Sequence, residues 1–188
     1  MTLSRRTFLQ GAAACGAAAT LGLGKSIAAE PKKAVVVFYS RSGNTEALAR
    51  MIGARTGLQV LRIDVKEPYA AEYSDMTYVA RDEVQRKARR ELKTPLPDLT
   101  SFDTVFLGSP YWWGSLSVPM ATFLMDENLA GKTVYPFITS GSSSPQGALD
   151  RIRELCPQAK IGAHFYVPGA EAADADNDVA AWLKKIGF

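Results

Sequence analysis

Apolar segments of two kinds alternate along most of the chain. Three of them, residues 35–39, 105–108 and 134–139, are almost entirely apolar, which is typical of strands that helices cover on both faces. Two others, residues 61–65 and 161–167, alternate apolar residues with polar or small ones, which predicts strands at or near the edges of a sheet. The pattern therefore predicts a sheet of five strands whose second and fifth strands lie at its edges.

Segments with helical spacing lie between and after these strands. Apolar residues three and four positions apart predict helices over residues 45–55, 75–92, 147–156 and 178–186, with a short helix that begins near Pro119. In the second helix Glu83 stands four positions before Lys87, which predicts an ion pair on a solvated face. Strands that alternate with helices through short connections indicate an α/β fold, with helices on both faces of a parallel sheet.

The first 29 residues follow a different pattern. Arg5 and Arg6 lie between Ser4 and the pair Phe8-Leu9, and an uncharged run of Ala and Gly follows over residues 11–24. This order resembles a twin-arginine signal, an address read by an export machinery that moves folded proteins. The sequence thus predicts a signal over 1–29, cleaved near Ala29, and an exported, periplasmic protein that engages the twin-arginine (Tat) machinery.

Two alternatives for this segment concern the membrane. The uncharged run is shorter than the roughly 20 apolar residues that a membrane-spanning helix needs, so no stable span is predicted for the mature protein. A retained N-terminal anchor remains the alternative. A lipoprotein attached through Cys15 is less well supported, because cleavage there would divide the apolar run.

The export signal also accounts for the positive charge of the chain. The sequence has 22 basic and 19 acidic residues, and the signal contains three of the basic ones and no acidic one, which leaves 19 of each in residues 30–188. A nearly neutral domain lacks the basic footprint of a nucleic-acid-binding protein, so that partner class is set aside. The domain keeps one cysteine, Cys156, and one histidine, His164, and predicts neither a disulfide nor a metal or Ser-His-Asp site.

A hydroxyl-rich loop joins the first predicted strand to the first predicted helix. It reads Ser40-Arg41-Ser42-Gly43-Asn44-Thr45, so its hydroxyls and backbone N–H groups converge at a helix N-terminus, which is a favourable place for an anion. The loop lacks the glycine and lysine spacing of triphosphate and dinucleotide loops, and a single terminal phosphate fits it better. An ordinary turn that caps a helix is the alternative.

Two further loops follow the third and fourth predicted strands. The first reads Gly108-Ser109-Pro110-Tyr111-Trp112-Trp113-Gly114, and the second reads Thr139-Ser140-Gly141-Ser142-Ser143-Ser144. Neighbouring tryptophans in a surface loop suggest that one ring covers an aromatic ligand, and the sequence leaves open which one. In a doubly wound sheet of order 2-1-3-4-5, all three loops emerge on one rim at the switch point, where ligands bind.

Together, Tyr-Ser-x-Ser-Gly-Asn-Thr, Gly-x-Pro-x-Trp-Trp-Gly and Thr-Ser-Gly-Ser resemble the flavodoxin-like family of short, often exported flavoproteins, over roughly residues 33–188. The resemblance implies a doubly wound flavodoxin-like domain over 30–188 with FMN as its cofactor. It implies a phosphate site at Ser40, Arg41, Ser42, Gly43, Asn44 and Thr45, and an isoalloxazine site at Pro110, Tyr111, Trp112, Trp113 and Gly114, with Ser140, Gly141 and Ser142 on the other side of the ring.

The resemblance also implies a redox function. The leading hypothesis is an electron-transfer protein of the cell envelope that uses FMN and passes electrons to a partner protein or to a small acceptor such as a quinone. An NAD(P)H-dependent quinone reductase is the alternative, although the chain has no separate nicotinamide-binding domain. A flavin-binding module without redox work is the third hypothesis. Electron-carrier flavodoxins are strongly acidic, and this nearly neutral domain departs from them.

Overall fold

The structure, a computed structural model, describes residues 33–93, 95–141 and 143–188. The predicted export signal with its cleavage site, and the predicted site residue Ser142, lie outside the described residues. Within the described part, every helix is too short or too polar to cross a bilayer.

Strands and helices alternate along the described chain. The strands are β1 (Ala34–Phe38), β2 (Val60–Arg62), β3 (Thr104–Trp112), β4 (Ser115–Leu116), β5 (Thr133–Ser140), β6 (Lys160–Ile161) and β7 (Phe165–Pro168). The helices are α1 (Asn44–Thr56), α2 (Tyr73–Gln85), α3 (Val118–Asp126), α4 (Gln146–Leu155) and α5 (Asp176–Ile186), and a 3₁₀ turn (Gly169–Glu171) follows β7.

The sheet has the predicted strand order. β2, β1, β3 and β5 are neighbours in that order, and β6 and β7 both pair with β5, which confirms the doubly wound order with strands two and five at the edges. The number of strands differs from the predicted five, because β4 is an antiparallel extension of β3 and the fifth strand is split. The split lies opposite Tyr135 and Pro136 of β5, and proline has no N–H group to offer a sheet ladder.

Both faces of the sheet are covered, as the continuous apolar runs predict. Val35 and Val37 of β1 belong to a core that includes buried residues of α3 and α4. Val36 and Phe38 point to the opposite face and pack in a core with residues of α1 and α5. Successive side chains of β1 point to opposite faces of the sheet, so the strand contributes to two cores and every one of its residues is buried.

The second helix is shorter than the predicted range of 75–92. It ends at Gln85, and Lys87 has a positive φ of 50° that turns the chain away from the helix. Leu92 then forms an antiparallel bridge with Val65 and is buried. Leu92 therefore reaches the core through an extended segment at the edge of the sheet and not through a helix face.

The prediction of an ion pair between Glu83 and Lys87 within that helix is wrong for the same reason. Lys87 pairs with Glu154 of α4 at 2.7 Å, because the chain has left the helix before this lysine. Glu83 pairs with Arg90 at 2.8 Å, and both side chains are largely buried.

Candidate functional site

The three predicted loops surround one cavity of about 770 Å³ at the carboxyl ends of the strands, which we call the first cavity. Ten of the fourteen predicted site residues line it: Arg41, Ser42, Asn44, Pro110, Tyr111, Trp112, Trp113, Gly114, Ser140 and Gly141. Ser40, Gly43 and Thr45 do not line it. The loops therefore meet where the strand order predicts.

Two hydroxyls of the first loop are used inside the protein. Ser40 Oγ accepts a hydrogen bond of 3.1 Å from the N–H of Gly43, which precedes α1 with a φ of 94°. Thr45 Oγ1 lies 2.8 Å from Oγ1 of Thr139 and ties the start of α1 to the end of β5. Both hydroxyl residues are buried. They shape the loop, while Ser42 and Asn44 line the first cavity.

The electrostatic surroundings of this loop suit an anion. Glu46, in the first turn of α1, would oppose a negative ligand, but Arg50 and Arg62 each pair with it at 2.5 Å. The hydrogen bond from Arg50 and the charge of Arg62 lower the pKa of Glu46. Arg62 also donates a hydrogen bond of 2.6 Å to the carbonyl oxygen of Ser40. The acidic neighbour is thus compensated, and the unpaired N–H groups of the first helical turn remain the main polar feature.

The tryptophan loop is a short β-hairpin. β3 runs to Trp112, and Trp112 pairs with Ser115 of β4. The two turn residues Trp113 and Gly114 have φ values of 47° and 85°, as the twist of a two-residue hairpin requires. Such a backbone is rare for tryptophan. The ring of Trp113 is half exposed, and its indole N–H donates a hydrogen bond of 2.9 Å to the carbonyl oxygen of Thr77.

Trp112 occupies a different environment from its neighbour. Its ring meets Tyr39 and Tyr69 edge-on, with centroids 5.8 and 4.9 Å away. The Tyr69 hydroxyl donates to Glu83, and the guanidinium of Arg90 lies 3.7 Å from the Tyr69 ring centre. Trp112 is therefore held by packed rings, whereas Trp113 is held at the first cavity by its hydrogen bond to Thr77 and by the guanidinium of Arg81, 5.9 Å from its ring centre.

Part of the wall comes from elements that the sequence analysis did not assign to the site. Tyr73, Met76, Thr77 and Ala80 of α2 line the first cavity, as do Gly169 and Ala170 after β7. The α2 residues are spaced as one helix face. Such spacing also fits a helix face that packs in a core, so it does not distinguish a core from the wall of a cavity.

Tyr39, which supports Trp112, gives a pH-dependent prediction. Burial raises the pKa of Tyr39 to about 12, so folding favours the protonated phenol. The resulting stability is present below the ordinary pKa near 10 and is lost as the pH rises through 12. Between pH 10 and 12 we expect the free energy of unfolding, measured with urea, to fall by about 2 kcal/mol more in the parent than in Tyr39→Phe. Tyr78→Phe, at an exposed ring, is the control, and an equal loss in all three proteins would contradict the expectation.

The lone histidine and the lone cysteine of the domain lie away from the first cavity. His164 is exposed between β6 and β7, so it lies where the predicted edge strand 161–167 is interrupted and not on either strand. Cys156 is buried after α4, and burial raises the pKa of its thiol to about 11. A thiol in this state is inert.

Solved structures share this fold. A candidate flavoprotein from Bacteroides uniformis ATCC 8492 is 28% identical with a TM-score of 0.73, over 82% of this chain and 99% of that one. A second candidate flavoprotein, from Bacteroides eggerthii DSM 20697, is 26% identical with a TM-score of 0.72, over 83% and 98%. A flavoprotein from Lactobacillus acidophilus NCFM, solved in complex with FMN, is 22% identical with a TM-score of 0.64, over 80% and 98%.

Sequence profiles assign both parts of the chain. No curated protein has a significantly similar sequence. The profile of twin-arginine translocation signals matches residues 2–22, which confirms the predicted export signal. The flavodoxin profile matches residues 33–186, which include the first cavity and all three of its loops. The chain therefore belongs to the flavodoxin family.

Proposed function

We propose that the first cavity binds FMN and that the protein transfers electrons through this cofactor in the cell envelope. The observation that carries the proposal is that the first cavity combines a polar end with an aromatic end. One end lies at the N-terminus of α1, where Ser42 and Asn44 provide polar groups, and the other end is walled by Trp112 and Trp113. A phosphate suits the first end and a flat aromatic ring suits the second.

The residues of the two ends would have separate tasks. Ser42, Asn44 and the N–H groups of α1 would hold the phosphate, while the buried bond between Thr45 and Thr139 keeps this end rigid. Trp113 would cover the ring, because its side chain is exposed at the mouth, and Trp112 would form the fixed part of the wall. Bound FMN supplies one-electron and two-electron chemistry. The electron-rich face of a neighbouring tryptophan would disfavour added negative charge on the cofactor.

Cofactor titration tests this proposal. FMN is added to the full chain, and binding is followed by the loss of free-flavin fluorescence; the complex is then reduced with dithionite and reoxidised in air. We expect saturable binding of one FMN and reversible bleaching of the absorption band. Absence of binding would overturn the proposal, and binding without reversible cycling would favour the flavin-binding module without redox work. Rapid bleaching by NADPH would favour the reductase, in which the cofactor is reduced directly by a nicotinamide.

A substitution of Trp113 separates binding from stability. Trp113→Gly removes the ring that would cover the cofactor, and we expect FMN affinity to fall roughly five- to tenfold, as the loss of one aromatic pair implies. Glycine also removes the cost of a positive φ, so the free energy of unfolding is expected to change by less than about 1 kcal/mol. Tyr78→Ala, which removes an exposed ring that does not line the first cavity, is the matched control. Equal FMN affinity in Trp113→Gly and the parent would remove Trp113 from the site.

A further inference from the structure

A second cavity of about 440 Å³ lies on the other side of the first loop. It is lined by the residues that end β1 and form the first loop, by the segment after β2, and by Lys93: Tyr39, Ser40, Arg41, Ser42, Arg62, Asp64, Val65, Pro68, Tyr69, Ala70, Ala71 and Lys93. Arg41 and Ser42 line both cavities. The first loop is therefore a partition between two cavities, and only one of them is needed for the proposed cofactor.

The lining of the second cavity carries an excess of positive charge. Arg41, Arg62 and Lys93 stand against a single acidic residue, Asp64. Arg62 is compensated, because it pairs with Glu46 at 2.5 Å and with Asp64 at 2.9 Å. The one carboxylate of the second cavity is thus already engaged by one of the three cations.

Neither of the other two cations pairs with a carboxylate of the described residues. The guanidinium of Arg41 donates to the carbonyl oxygens of Ala70 and Ala71, at 3.4 and 2.9 Å, which orients the group without neutralising it. The ammonium of Lys93 is exposed and makes no hydrogen bond or ion pair with another described residue. Two uncompensated cations in one concave surface attract an anion more strongly than the same charges do on an open surface.

The floor of the second cavity is apolar and fixed. Tyr39 and Tyr69 are buried, and both rings pack against Trp112, which lines the first cavity. Val65, also buried, adds an aliphatic surface. A ligand that combines an anionic group with a small apolar body would complement this lining.

We propose that the second cavity is a binding site for a small molecule that carries a phosphate or carboxylate group, distinct from the FMN site. Arg41 and Lys93 bind its anionic group, and the floor of Tyr39, Tyr69 and Val65 receives its apolar part. The proposal goes beyond the proposed electron transfer and does not depend on it. Because the partition is shared, an anion in the second cavity lies beside the loop that would hold the cofactor phosphate.

Amide chemical shifts locate such a ligand. The FMN-loaded full chain is titrated with inorganic phosphate in one arm and succinate in the other, at constant ionic strength. We expect saturable shifts at the amides of Arg41, Ala71 and Lys93 in at least one arm. The arm with the higher affinity shows whether the site prefers a phosphate or a carboxylate. Lys93→Gln is expected to weaken binding roughly twofold to fivefold, as the loss of one exposed charge implies. Lys160→Gln, which removes an exposed lysine from β6 and outside both cavities, is expected to have no effect.

Three results would overturn the second site. They are non-saturating shifts in both arms, equal affinity in Lys93→Gln and the parent, and release of FMN by phosphate, which would place the anion in the first cavity. The same titration of FMN-free protein separates this proposal from the proposed function. Should the chain fail to bind FMN, saturable shifts at Arg41, Ala71 and Lys93 that weaken in Lys93→Gln would still support the second site, and their absence would reject it.

Discussion

Replacing Gly147 with alanine is expected to weaken FMN binding by about tenfold or more, although Gly147 does not line the first cavity. A Cβ atom at this position would overlap the carbonyl oxygen of Gly114 and lie 2.8 Å from its carbonyl carbon. These are backbone atoms of the hairpin turn, so the hairpin has to move away from α4. Displacement of a binding wall by about 1 Å is enough to cost an order of magnitude in affinity.

The effect of Gly147→Ala is measured by FMN titration together with urea unfolding. Gln146→Ala, one residue earlier in α4 at an exposed position, is the control and is expected to bind FMN like the parent. Unchanged FMN affinity in Gly147→Ala would mean that the position of the hairpin does not matter for the cofactor. A large fall in stability with unchanged affinity of the folded fraction would assign the close contact to folding alone.

The sequence predicted the sheet well because local pattern and burial agree there. Three strands covered on both faces leave continuous apolar runs, and the edge strands leave alternation, which together determine the order of the strands. The end of α2 could not be predicted in this way. Leu92 continues an apolar pattern, but its burial depends on a bridge to Val65, 27 positions earlier in the chain. A pattern read over a short stretch of sequence does not reveal a contact between residues so far apart.

The candidate site was predicted in its loops and missed in its walls. Hydroxyl, glycine and tryptophan residues at the carboxyl ends of strands pointed to a ligand, although the hydroxyls of Ser40 and Thr45 form hydrogen bonds within the protein. Tyr73 and Thr77 lie on a helix face whose spacing fits a core equally well. The different environments of Trp112 and Trp113 follow from the positive φ of Trp113, at a turn where glycine or asparagine is the usual residue.

Replacing Phe106 with alanine is expected to lower the free energy of unfolding by about 3–5 kcal/mol. Phe106 is fully buried in β3. The distance between ring centroids is 4.9 Å to Phe188, 5.5 Å to Tyr135 and 5.6 Å to Trp182. Alanine leaves a cavity that these large rings close only in part. Since domains of this kind have about 5–15 kcal/mol in total, the loss is at least about a fifth of the stability, and we expect a clearly lower midpoint of urea unfolding.

Urea unfolding with and without FMN tests this expectation and connects the core with the cofactor. Tyr78→Ala, at an exposed ring, is the control and is expected to change stability by less than about 0.5 kcal/mol. A ligand that binds only the folded chain adds about 2.7 kcal/mol at a concentration of 100 Kd, so saturating FMN is expected to restore more than half of the loss in Phe106→Ala. A loss below about 1 kcal/mol would mean that the neighbouring rings refill the space. A full loss without recovery by FMN would support the role of Phe106 in the core, but it would mean that the cofactor does not select the folded state and would count against the proposed site.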